Sequence, residues 1–182
     1  MTKRAILLLS LALPLAACGP EPEVDEKNAS VEEVTEKVRE ASDEAGVISP
    51  GKWVSTVKID EMDLPGMPPQ AAEQMQKMIA ETRTTETCLT PEEARQPKAT
   101  FFSGNDQCRY DHFTMGGGKI DAQMRCSQGG ATQIMEMAGT YAPDHYRMQM
   151  KSRTQDGRDD DGMSMQMTVD AKRVGACTGK ET

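Results

Sequence analysis

Two stretches near the C-terminal end alternate strictly between apolar and polar residues. Arg147 and Gln149 separate Tyr146, Met148 and Met150, and Ser164, Gln166 and Thr168 separate Met163, Met165, Met167 and Val169. A strand with one dry face and one wet face requires this period of two. Residues 107–170 hold four or five such runs joined by short turns, which makes sequential runs antiparallel neighbours. Strands are expected over 107–115, 119–126, 132–141, 145–152 and 163–170. The dry side has unusual chemistry. Aromatic residues make up only 4% of the chain, and 14 methionines stand where they would usually fill a core. A meander of this kind curls. The expected fold class is therefore mainly β (α+β): a curled antiparallel meander, half-barrel or open barrel, with an N-terminal helix and one inserted helix.

The cysteines supply a register. Apart from Cys18 there are four, Cys88, Cys108, Cys126 and Cys177. An even number in an exported chain reads as two disulfides. Cys108 and Cys126 are symmetric about Gly117, so a hairpin turning at Gly116-Gly117-Gly118 sets them face to face. Cys88 with Cys177 remains. The first pairing puts Tyr110 opposite Met124, His112 opposite Ala122 and Thr114 opposite Ile120, which gathers apolar residues on one side but leaves Phe113 on the other. A turn at Ala142-Pro143-Asp144 likewise sets Tyr141 against Tyr146, Gly139 against Met148 and Met137 against Met150.

The N-terminus reads as an address. Lys3 and Arg4 precede an apolar run, Ala5 to Leu13, too short to span a bilayer. Leu15-Ala16-Ala17-Cys18 follows and resembles the lipobox of bacterial lipoproteins. That resemblance implies a signal peptide over 1–17, cleavage before Cys18, and lipidation of Cys18 as a membrane anchor. Gly19 in place of Asp favours the outer membrane, facing the periplasm. Cleavage removes Lys3 and Arg4 and takes the formal net charge from −8 to −10. So acidic a surface argues against a nucleic-acid partner.

Residues 18–30 are Pro-rich and acidic and read as a solvated tether. Residues 31–46 form an amphipathic helix, with Ser30 and Glu33 as a capping box and Gly46 as the stop. Its stripe of Val31, Val34, Val38, Ala41 and Ala45 reads as a spacer lying loosely on the body or free of it, in preference to a short coiled-coil seam. The remainder, 47–182, is the disulfide-stapled β-domain. It opens with a strand over 52–59 carrying Trp53, expected half-buried. A helix over 70–81, a strand over 83–88 and a short turn capped by Thr90 and Glu93 precede the meander.

Several features taken together resemble the bacterial domain of unknown function family 3617, small exported or lipid-anchored proteins. They are Pro50-Gly51-Lys52-Trp53, the Met/Pro/Gly loop ending at Gln70, Cys88-Leu89-Thr90-Pro91-Glu92, Cys108, Cys126 and Arg173-Val174-Gly175-Ala176-Cys177. The resemblance covers 49–177. It implies export, disulfides and fold, and carries no activity.

No catalytic residues are predicted. His112 and His145 are the only histidines and fall on different strands, no G-x-S-x-G or H-E-x-x-H motif is present, and disulfide pairing leaves no thiol nucleophile. No cofactor is expected. The acidic loop 153–162 lacks Ca²⁺-site spacing. Two binding readings remain. Met148, Met150, Met163, Met165 and Met167 can line a cavity for an apolar small molecule or envelope component, since flexible thioethers adapt to varied shapes. Alternatively, Met163, Met165 and Met167 offer soft sulfur ligands for Cu(I) in the periplasm. The expectation is a non-catalytic binding or structural module, and metal is the less favoured reading.

Overall fold

Both alternating runs form strands, and one antiparallel sheet takes in every strand among the described residues. The computed structural model describes residues 23–45, 47–79, 82–95, 107–155 and 162–179. The elements in chain order are β1 (Val24–Ser30), α1 (Val31–Ala45), β2 (Gly51–Asp63), α2 (Pro69–Ile79), β3 (Arg83–Leu89) and α3 (Pro91–Arg95), then β4 (Cys108–Gly116), β5 (Lys119–Gln128), β6 (Ala131–Ala142), β7 (His145–Gln155) and β8 (Ser164–Gly175). The sheet order is β1-β4-β5-β6-β7-β8-β2-β3, open at β1 and β3. The signal segment 1–17 and Cys18 lie outside the described residues.

The register follows the cysteines and turns. Cys108 pairs with Cys126 and Tyr110 with Met124; Tyr141, Gly139 and Met137 pair with Tyr146, Met148 and Met150. Both disulfides form, Cys108–Cys126 with Cα atoms 4.0 Å apart and Cys88–Cys177 with 5.5 Å. The hairpin turns through Gly117 and Gly118, with φ of 56° and 74°, and glycine adopts that left-handed pair without steric cost.

Beyond Tyr110 the register departs from expectation. A bulge at Asp111 shifts the pairing, so His112 meets Gln123, Phe113 meets Ala122 and Thr114 meets Asp121. One extra residue reverses which face the following side chains occupy. Tyr110 and Phe113 are three residues apart, and a regular strand would set them on opposite faces. With the bulge both turn inward, 2% and 0% exposed.

The eighth strand, β1, forms within residues 18–30, whose composition predicts a solvated acidic tether. Its only apolar residues, Val24 and Ala29, are five apart, so they too would fall on opposite faces of a regular strand. Asn28 resolves the conflict. It has φ of 50°, a positive value found at no other described non-glycine residue, and asparagine tolerates that region better than most. Lys27 pairs with His112 and Ala29 with Tyr110, which sets Asn28 opposite the Asp111 bulge. Both strands change face at the same level, and Val24 and Ala29 are both buried. Arg109 secures the kink through the Asn28 side-chain and backbone oxygens.

Helix α1 is neither a loose spacer nor a coiled-coil seam. Val34 and Val38 are 0% and 3% exposed and share one core cluster with Val24, Ala29, Tyr110, Phe113 and Met115. The capping box forms: Ser30 N–H donates to Glu33 at 2.7 Å and Glu33 N–H to the Ser30 hydroxyl at 3.1 Å. Those bonds hold the Glu33 carboxyl below its ordinary pKa. Strand β1 and helix α1 thus pack with the residues from 47 onwards instead of standing apart from them. Trp53 is buried rather than half-buried, its indole N–H donating to Ser49 O at 3.0 Å. No helix among the described residues is long and apolar enough to cross a membrane.

Candidate functional site

Antiparallel pairing stacks the inward side chains into rows that cross the sheet. One row runs Ile120, Gly139, Met148, Val169 and Val57. The next runs Phe113, Ala122, Met137, Met150, Met167 and Ile59. A third runs Tyr110, Met124, Met135, Ser152, Met165 and Met62. Neighbours within a row are directly opposed residues with side chains in contact range.

Members of these rows line a partly open cavity of about 390 Å³. Tyr110 of β4 and Val169 of β8 both line it. In a flat sheet strands four places apart lie about 19 Å from each other, so a shared cavity requires the sheet to curl. Seven methionines contribute: Met124, Met135, Met137, Met148, Met150, Met165 and Met167. The volume is that of a small-molecule site and far above that of one water.

The cavity has direction. Its deep end is the row holding Gly139 and Met148. A Cβ on Gly139 would sit 2.5 Å from the Met148 sulfur and 2.2 Å from Arg147 O, so only glycine lets Met148 lie flat there. The adjacent row is closed by Tyr141 and Tyr146, and the Tyr146 ring lies 5.7 Å from that of Trp53. At the opposite end the lining turns polar with Ser152, Gln133 and the opposed pair Glu136 and Lys151, and Gln133 is exposed. On the β4 side the Tyr110 ring meets Phe113 edge-to-face at 5.5 Å. Its side chain is 2% exposed, and burial pushes its phenol pKa up to about 12.

Of the residues singled out in the sequence, Met148, Met150, Met165 and Met167 stand on this wall. Met163 does not: it precedes β8, is 51% exposed, and is absent from the lining. Three thioethers therefore do not assemble along that single strand. The sequence reading missed Tyr110, Ala122, Met124, Met135 and Met137 as wall residues. The signal lay in the register, which already opposed Tyr110 to Met124 and Met137 to Met150. The histidines stand elsewhere. His112 bonds Asp121 at 2.7 Å and His145 bonds Asp144 at 2.8 Å, both outside this lining. Among the described residues no three His, Cys, Asp or Glu side chains converge to hold a metal. Most of the acidic loop, 156–161, lies outside the described residues.

Helix α2 covers none of this wall. It makes no extensive contact with any other element, and its Met78 is 66% exposed.

A family model described as "Protein of unknown function (DUF3617)" matches residues 48–177. No curated protein and no solved structure matches the chain. The matched span takes in β2 through β8, the whole cavity wall and both disulfides, and it leaves out β1 and α1.

Proposed function

The chain belongs to the DUF3617 family, and from that premise we propose that it is an exported, lipid-anchored envelope protein acting by binding, not catalysis. Its binding site is the methionine-lined cavity, and its ligand is an apolar small molecule. The observation that carries this reading is the cavity itself. Seven thioether side chains from four adjacent strands face one space of about 390 Å³. Such walls favour hydrocarbon and adapt to its shape. Residues 1–18 support the address: a short basic start, an apolar run and Leu-Ala-Ala-Cys. Lipid on Cys18 would moor the body on the periplasmic face of the outer membrane. Residues 19–23 alone separate Cys18 from β1, at most about 20 Å of extended chain, so the sheet stays close to the lipid surface.

Purified protein is expected to take up N-phenyl-1-naphthylamine with enhanced fluorescence. Met150→Trp, which fills the middle of the cavity, is expected to weaken uptake at least tenfold while the protein stays folded by circular dichroism. Equal uptake by both proteins would refute the cavity as the site. A second reading uses the same wall differently. Met137, Met150 and Met167 are directly opposed on three neighbouring strands, an arrangement soft enough for Cu(I). Cu(I) titration with ascorbate as reductant separates the two, since submicromolar binding with no fluorophore uptake hands the cavity to metal. The anchor has its own test. Cys18→Ala is expected to move the protein from the membrane to the soluble fraction, and an unchanged membrane fraction rejects lipidation.

A further inference from the structure

Tyr110 brings a hydroxyl to a wall whose larger part is thioether and aliphatic. The residue is 2% exposed, yet it lines the cavity, and its hydroxyl makes no hydrogen bond among the described residues. A hydroxyl that opens on the cavity with no partner among them keeps its donor and acceptor capacity for whatever fills that space. The hydroxyl has a fixed role. Burial holds its pKa near 12, so the proton stays on and the group remains a donor at physiological pH. Its position along the cavity is equally specific. It belongs to the row of Ser152 and lies two rows from Met148, towards the polar end marked by Gln133. The wall is therefore hydrocarbon-like at depth and offers a hydrogen-bond donor nearer the mouth.

We propose that the ligand is an amphiphile, an acyl chain bearing a carbonyl oxygen, with its tail against Met148, Met150 and Met167 and its carbonyl accepting from the Tyr110 hydroxyl. This rests on the binding reading above and narrows it from any apolar molecule to one chemical class.

The test compares methyl laurate with an alkane of equal length, each displacing N-phenyl-1-naphthylamine. Wild type is expected to bind the ester about fivefold more tightly than the alkane, the worth of one net hydrogen bond. Tyr110→Phe is expected to abolish that preference and leave alkane affinity unchanged. Tyr141→Phe serves as control. Tyr141 is not part of the lining, so both affinities should hold. An ester preference that survives Tyr110→Phe, or an equal loss for both probes, overturns the assignment while cavity binding stands. Failure of both probes to displace the fluorophore rejects cavity binding itself. An infrared measurement needs no variant. The ester carbonyl stretch should fall on binding to wild type, and an unshifted band overturns the hydrogen bond.

Discussion

Phe113→Ala is expected to lower the free energy of unfolding by about 3–5 kcal/mol, the range for truncating a fully buried aromatic side chain. Phe113 is 0% exposed and sits in the cluster formed by Val34, Val38, Tyr110 and Met115. Truncation leaves a void where α1 docks on the sheet, and it removes the edge-to-face contact with Tyr110. His112→Ala, one residue earlier, is expected to cost less than about 1 kcal/mol, because its pair with Asp121 is exposed to solvent. The contrast tests the bulge directly. Without the extra residue at Asp111, His112 would face the core and Phe113 the water, and the two costs would exchange order. Urea unfolding with the disulfides intact measures both. A small loss at Phe113 beside a large one at His112 would refute the observed register.

Local signals were legible in the sequence wherever one residue or one pattern decides the outcome. Strict alternation marked β7 and β8. Symmetric cysteines and a triple glycine set the β4–β5 hairpin, and Ser30 with Glu33 and Thr90 with Glu93 marked two helix starts that both form their boxes. What stayed hidden depends on two strands agreeing. Val24 and Ala29 look like scattered apolar residues in a charged stretch until Asn28 turns the chain at the level where Asp111 bulges. Neither irregularity has a signature of its own, because each is favoured only by the pairing it preserves. The docking of α1 followed from the same gap. Its valine stripe looked too narrow for a partner because the strand beside it, β1, had been assigned to solvent. The cavity was half legible. Strand parity alone placed Met148, Met150, Met165 and Met167 on one face. Which other side chains share the space depends on curvature, a property of the whole sheet that no window of sequence carries. Met163 shows the limit of parity. It continues the alternation, but it lies one residue before Ser164, where pairing with β2 and β7 begins. Its carbonyl still accepts from Thr154 N–H at 2.9 Å, but its side chain, 51% exposed, has no sheet face to pack on.

Removing the Cys88–Cys177 disulfide is expected to cost more than removing Cys108–Cys126, and the reason is topological. Cys88 lies on the edge strand β3 and Cys177 just beyond the end of β8, on either side of β2, whose Lys52 pairs with both Cys88 and Gly175. The bond therefore ties the outermost strand across its neighbour. It closes a loop spanning 89 residues against 18 for the other bond. Chain-entropy reasoning gives about 4–5 kcal/mol for the longer loop and about 3 kcal/mol for the shorter. The Cys88→Ser, Cys177→Ser double variant should thus unfold at distinctly lower urea than Cys108→Ser, Cys126→Ser. It should also open locally. Along β3, Arg83 to Thr87 are all exposed, so pairing with β2 and the disulfide supply most of what holds the edge in place. With the bond gone, trypsin should cut after Arg83 under native conditions, where an intact edge strand resists, because cleavage requires the strand to detach. The cavity wall lies on β4 to β8 and does not include β3, so fluorophore uptake should persist in the double variant. Equal stability losses for the two disulfides, with β3 still resistant to trypsin, would mean that the edge is held by β2 alone and that the long bond is redundant in the folded state.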